Sequence, residues 1–274
     1  MTLNDIYHAI DPVALSLGPL QIRWYGLAYV AGFICAFLVI AKLSQRWKIR
    51  IDDDAFFTVV FCVIFGVILG GRLGYVLVYG DGYYLQHPEK ILAFNEGGMS
   101  FHGGLVGGIL GGIIVCRMYK LDAWTIADLA VIGAPLALCL GRCANFVNGE
   151  LWGKPTDLPW GVVFGGTAGD MPRHPSQLYE AFLEGVVLFC ILQVLSRKKP
   201  LLPQGTFMGV FVMGYGIVRF LVEFVRVPDA QLGYLLGGVI TMGQLLSLPL
   251  VIVGLALIIF ARRRNQPQRV YLDA

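Results

Sequence analysis

Residues 123–153 read AWTIADLAVIGAPLALCLGRCANFVNGELWG. The run from Ala123 to Leu140 has the length and apolar character of a helix that crosses about 30 Å of hydrocarbon. Arg142, Asn145, Asn148 and Glu150 then follow within nine residues, with Gly141, Gly149 and Gly153 among them. An ionisable side chain beside such a run carries a desolvation cost that partners or water must meet, and this marks a functional site. A lone Arg at a helix end would snorkel, and lone Asn residues would cap or turn the chain. Arg, two Asn, Glu and three Gly together go beyond either.

Outward from this stretch the chain stays apolar. Hydrophobic residues make up 57% and charged residues 14%, with a mean hydropathy of +0.69, which excludes an ordinary soluble globule. Seven apolar runs are long enough to span as helices, over residues 24–41, 55–78, 103–118, 123–140, 178–195, 206–225 and 239–261. The expectation is an all-α polytopic membrane protein of seven transmembrane helices, residues 1–274 forming one integral membrane domain. The residues before Leu17 lack the basic region, apolar core and small-residue site of a cleavable signal peptide.

Lys and Arg cluster on alternate connections: Lys42, Arg46, Lys48 and Arg50, then Arg117 and Lys120, then Arg197 to Lys199, and last Arg262 to Arg264 with Arg269. All thirteen agree with one topology under the positive-inside rule, N-terminus periplasmic and C-terminus cytoplasmic in an inner membrane.

That topology assigns each polar residue a depth at about 1.5 Å per residue. Arg72, near the top of the second span, and Arg142, at the top of the fourth, reach the outer-leaflet side. Tyr215, Arg219 and Glu223 lie on one face of the sixth by their i, i+4, i+8 spacing. Gln177 and Glu180 begin the fifth, with Glu184 a turn deeper, and Trp24 and Tyr25 begin the first at the same level. The third opens with Ser100, Phe101 and His102, where free N–H groups and the positive end of the dipole suit an anion. Its glycines at 103, 104, 107, 108, 111 and 112 form two ridges of i, i+4 spacing, and Gly66, Gly70 and Gly74 offer a matching ridge on the second span.

The longest exterior connection, residues 143–177, is rich in Gly, Pro, Asn, Asp and Trp and is expected to form a small periplasmic cap. The six Cys lie mostly inside spans without a CxxC or Cys/His pattern, so they read as core residues and no metal is expected.

GRCANFVNGELWG (141–153), GGMSFHGGL (97–105), RHPSQLYE (173–180) and YGIVRFLVEFVRVPDAQ (215–231), with WYGL (24–27) and GGRLGYVLVY (70–79), closely resemble the bacterial prolipoprotein diacylglyceryl transferases. Ala144 stands where that family more often has Gly. The resemblance implies transfer of the diacylglyceryl group of phosphatidylglycerol to the lipobox cysteine of a preprolipoprotein, with release of glycerol phosphate. It implies no cofactor and no nucleic acid, with membrane lipids as the surroundings. The family's functional residues fall on Tyr25, His102, Arg142, Asn145, Glu150, Gly153, Tyr215, Arg219 and Glu223. Arg72 joins them as a candidate lipid contact by its depth.

The residue types suit that chemistry. A thioether forms from a thiolate, whose parent thiol has a pKa near 8.5, so His102 serves as the base. The leaving phosphate ester calls for guanidinium forks, Arg142 and Arg219, oriented by Glu150 and Glu223. Asn145 and Tyr25 or Tyr215 would then hydrogen-bond the head group. A transporter would place its charges nearer the midplane, on broken helices of repeated halves. An intramembrane protease would show GxSxG or HExxH, and neither occurs.

Overall fold

The computed structural model describes residues 2–18, 20–49, 51–94, 97–228, 234–235 and 240–272. Arg50, residues 229–231 of the last motif and the start of the expected seventh span at Val239 lie outside the described residues. In chain order the elements are α1 (Leu3–His8), the hairpin β1 (Val13–Leu17) and β2 (Leu20–Arg23), α2 (Trp24–Arg46), α3 (Asp53–Tyr79), α4 (Tyr83–Gln86), α5 (Phe101–Met118) and α6 (Ala123–Val147). After a long connection come α7 (Ser176–Glu180), a π-helical stretch (Ala181–Val187), α8 (Leu188–Leu195), α9 (Thr206–Val222), the short ribbon β3 (Tyr234–Leu235) and β4 (Ile240–Thr241), and α10 (Met242–Arg264).

Among the described residues, six helices are long and apolar enough to cross a membrane, the stretch Ser176–Leu195 counting as one. Large apolar side chains such as Phe61, Leu77 and Ile252 stay exposed along them, as helices facing hydrocarbon require. The chain is a multi-pass membrane protein. The sixth expected span is the shorter α9, whose 17 residues reach about 26 Å at the α-helical rise. Two small ribbons join the helices, a feature absent from the all-α expectation.

Two compact units divide the chain. Residues 1–47 and 127–268 form one, residues 48–126 and 269–274 the other, with the boundary inside α6.

In the second unit, α3 and α5 pack backbone to backbone. A Cβ added at Gly74 would come 2.8 Å from the Gly103 Cα, and one added at Gly70 equally close to the Gly107 Cα. The ridge of α3 therefore meets the α5 ridge of Gly103 and Gly107. Asp52 caps α3 through the Ala55 N–H at 3.4 Å, and Ser100 caps α5 through the Gly103 N–H at 3.2 Å. The chain's end returns to this unit, where the Asp122 N–H donates to the Val270 carbonyl at 2.6 Å and the Arg269 Nε donates to Asp122 at 3.2 Å.

In the first unit, α6 continues to Val147, so Arg142 and Asn145 occupy its last two turns; the expected loop at residue 143 opens only after them. Its end is set by Asn148 and by Gly149 at φ +66°. There a side chain would strike the Tyr7 hydroxyl. Helix α9 starts on Gly205 at φ +86°, with no cap from its own side chain. Asp128, wholly buried in α6, fills that role from outside by accepting the Gly205 N–H at 2.7 Å and the Met208 N–H at 2.8 Å. A third donor, Gln268 Nε2 at 2.7 Å, completes its shell. A carboxylate at a helix N-terminus meets both the free N–H groups and the positive dipole end. Asp128 thus fixes the helix that carries Tyr215 and Arg219.

The connection after α6 folds around Phe146, Val162, Phe164 and Ala168, with Leu3 and Tyr7 of α1 packed against them. Tyr7 meets Phe164 and Phe146 edge to face, centroids 5.0 and 5.4 Å apart, and the Asn4 side chain accepts the Val163 N–H at 2.9 Å. The Arg173 guanidinium lies 4.4 Å from the Trp152 ring centroid. These contacts order a segment whose composition alone would suit a linker.

Candidate active site

Helices α6, α7, the π-helical stretch and α9 bring their charged residues to one place in the first unit. Glu180 is at its centre, wholly buried. Its Oε2 lies 3.0 Å from Arg142 Nη1. Its Oε1 accepts from Arg219 Nη1 at 2.7 Å and from Arg226 Nη1 at 3.4 Å. Arg142 also donates through Nε and Nη2 to Glu184 Oε2, each at 3.3 Å. Arg219 Nη2 faces Glu223 Oε2 at 2.9 Å, one helical turn on. The 3.0 and 2.9 Å contacts are ion pairs by distance and lack hydrogen-bond alignment.

Arg142 and Arg219 each keep 15% of their side-chain surface exposed while Glu180 keeps none, so the carboxylate is the anchor and the forks face outward. A buried charge survives only when paired and hydrogen-bonded, and here three carboxylates meet three guanidiniums. Glu184 Oε1 is buried with no partner, leaving an acceptor free. Gly243 makes room beside Glu223, since a Cβ there would lie 2.6 Å from the Glu223 Cδ. Tyr215, two turns before Glu223 on α9, lies within electrostatic range of Arg142, Glu184 and Arg219.

A second polar group adjoins the end of α6. Glu150 Oε1 accepts from Asn145 Nδ2 at 2.8 Å and Asn148 Nδ2 at 3.3 Å. The Tyr25 hydroxyl, at the start of α2, hydrogen-bonds Tyr29 at 3.1 Å and lies within electrostatic range of Glu150. Glu150 therefore orients Asn145, and the carboxylates that hold Arg142 are Glu180 and Glu184. The turn carrying Glu150 is pinned from α7, where Gln177 Nε2 donates to the Glu150 carbonyl at 2.6 Å and Ser176 Oγ to the Leu151 carbonyl at 2.9 Å.

Gly153 is a backbone crossing. Its N–H donates to the His174 carbonyl at 2.9 Å, and a Cβ would stand 2.6 Å from both the His174 Cβ and the Val225 carbonyl oxygen. Burial pushes the His174 imidazole below its ordinary pKa, and the Lys154 ammonium adds to the shift.

Arg72 and His102 belong to the second unit. Arg72 is 1% exposed and donates to four carbonyls: Ile91 at 2.8 Å, Lys90 at 2.7 Å, Gly98 at 3.2 Å, and Gly97. Its guanidinium also lies 5.4 Å from the Tyr84 ring centroid. These bonds gather the loop that leads into Ser100. His102 is exposed on the first turn of α5.

Of the expected residues, the structure brings together Arg142, Tyr215, Arg219 and Glu223 in one group, and Tyr25, Asn145 and Glu150 in another. Glu180, Glu184 and Arg226 are the participants that the motif-based assignment omitted. Two carboxylates one turn apart in an apolar run were their signal, since such charges demand partners.

Comparison with known families matches residues 12–260 to prolipoprotein diacylglyceryl transferase. A protein of Geobacter sulfurreducens named phosphatidylglycerol–prolipoprotein diacylglyceryl transferase is 51% identical, covering 93% of this chain and 97% of its own. Proteins of that name from Methylocella silvestris and Cupriavidus metallidurans are 51% and 48% identical, covering 94% and 95% of this chain and 96% of each relative. With buried Arg and Glu gathered where the motifs place them and relatives matched over nearly their full lengths, the chain belongs to the prolipoprotein diacylglyceryl transferase family.

Proposed function

We propose that the protein moves the diacylglyceryl group of phosphatidylglycerol onto the thiol of the lipobox cysteine of a preprolipoprotein, the first step of lipoprotein maturation. The carrying observation is the pair of guanidinium forks, Arg142 and Arg219, held from behind by one buried carboxylate, Glu180. Sulfur attacks the glyceryl carbon bonded to the phosphate oxygen. The C–S bond forms, the C–O bond breaks, and glycerol phosphate leaves with the electron pair. The thiol proton passes to His102.

Arg142 and Arg219 meet the charge that develops on the departing phosphate. Bare forks would bind the anionic ground state as strongly as the transition state and gain nothing in turnover. Paired with Glu180, Glu184 and Glu223, they are preoriented and largely neutralised, so the extra charge of the transition state draws the larger response. Tyr25, Asn145 and Tyr215 bind the head group, with Glu150 orienting Asn145 and Gly153 admitting the backbone crossing. Arg72, spent on loop carbonyls, positions the approach to His102.

The proposed arrangement has seven crossings, α9 lengthened by the turn after Val222, with the N-terminus in the periplasm. Residues 143–177 form a periplasmic cap on one membrane domain, its first five residues completing α6. The site opens to the outer leaflet of the inner membrane. Purified protein with phosphatidylglycerol labelled in its acyl chains and a lipobox peptide tests the reading: label should appear on the peptide cysteine, stable to thioester-cleaving hydroxylamine. Label that stays in lipid overturns it.

A further inference from the structure

At the opposite end of α2 from Tyr25 lies a cleft of about 420 Å³ between the last turns of α2 and α8. That is far more than the roughly 30 Å³ of one water and within the range of small-ligand sites, roughly 300–1,000 Å³. Val39, Leu43 and Phe189 form apolar wall, and Lys42, Arg46 and Arg197 stand at it as well. Lys42 and Arg46 are one helical turn apart, and Arg197 follows the end of α8 by two residues. The two helix ends are tied across it, Trp47 Nε1 donating to the Ser196 carbonyl at 3.2 Å.

No acidic side chain lines the cleft, and among the described residues none of the three cations takes part in an ion pair. The two helix C-termini contribute about half a negative charge each, which three full cations outweigh. Like charges gathered on one cleft repel one another until an anion is supplied.

We infer that this cleft is a second lipid seat, which takes the phosphate of an anionic phospholipid in the leaflet opposite the active site, with acyl chain along α2 and α8. The basic connections assign that leaflet to the cytoplasmic face, where polybasic clusters meet anionic head groups. The seat is distinct from the one that consumes phosphatidylglycerol. Its occupant bridges α2, which carries Tyr25, and the helical stretch that carries Glu180 and Glu184.

The test uses the full-length protein in phosphatidylcholine nanodiscs titrated with phosphatidic acid, which lacks the glycerol head group of the transferase substrate. Bound phosphatidic acid is counted by native mass spectrometry. Wild type should hold one tight equivalent that the triple variant K42Q/R46Q/R197Q loses. That equivalent should bind on the order of a hundredfold more weakly, each cation contributing about fivefold. The three side chains are exposed, and an unchanged transfer rate at saturating phosphatidylglycerol reports that the variant is folded. Val39→Trp fills the cleft while keeping every cation, and should also lose the equivalent. Equal retention by wild type and the triple variant overturns the seat, as does full retention by Val39→Trp, which would reduce the effect to diffuse surface attraction.

Discussion

Arg142→Lys retains the charge on α6 but exchanges a planar fork for a compact ammonium that cannot serve Glu180 and Glu184 while facing a phosphate. The loss in the transition state should be about 2–4 kcal/mol, a fall in transfer rate of roughly a hundredfold or more. Affinity for phosphatidylglycerol should fall much less, and both are measured side by side on the purified variant. A near-wild-type rate removes Arg142 from the catalytic group. His174 offers a residue-scale test of the cap. Its imidazole is depressed in the folded state by burial and by Lys154, so the unfolded chain binds more protons just below pH 6.5, the ordinary value. Its contribution to stability is present above that value and is lost as pH falls from it toward the folded pKa. Thermal unfolding from pH 7.5 to 5 should show this loss, and His174→Gln should flatten it. Arg142, Asn145 and Glu150 were legible in the chain because charge next to hydrocarbon has few bland explanations. The identity of the carboxylates holding Arg142 was not, because that pairing joins different helices and depends on how they pack.

At the scale of elements, Asp128→Ala should be costly although the residue belongs to none of the family motifs. It removes the carboxylate that accepts at the N-terminus of α9, stranding the Gly205 and Met208 donors and leaving Gln268 Nε2 with the Leu202 carbonyl alone. The loss should be at least about 2 kcal/mol, read as a lower unfolding temperature in detergent, with Asp128→Asn recovering part of it. An unchanged unfolding temperature would mean that α9 is fixed by packing alone. Most helices were visible as apolar runs, and a small-residue contact between the second and third spans followed from spacing, whereas which of the two glycine ridges of α5 meets Gly66, Gly70 and Gly74 did not. The π-helical turn at Ala181–Val187 was not. Its residues read as an ordinary span, and a wide turn of this kind is often found at functional sites. Nor was the continuation of α6 past Arg142, where the desolvation that would end a helix is met by Glu180 and Glu184.

For the whole molecule, the alternation of basic connections makes a single prediction about sidedness. A cysteine placed at Gly166, in a background with the native cysteines silenced, should react with an impermeant thiol reagent from outside intact cells. Labelling only after the cytoplasm is opened would invert the topology and move the proposed lipid seat to the other leaflet. Composition sufficed for membrane residence, whereas the gathering of α1 and the 148–175 connection into one aromatic core depends on contacts between distant parts of the chain. The central cluster, three guanidiniums against three carboxylates, has a further consequence for supply. Balanced charge projects little field past the Debye length of about 8 Å at physiological ionic strength, so the site does not draw lipid from afar. If this cluster is the proposed site, its lipid substrate is expected to arrive by lateral search within one leaflet. Initial rates in vesicles should therefore follow the mole fraction of phosphatidylglycerol in the bilayer and stay flat as salt is raised or as total vesicle is diluted.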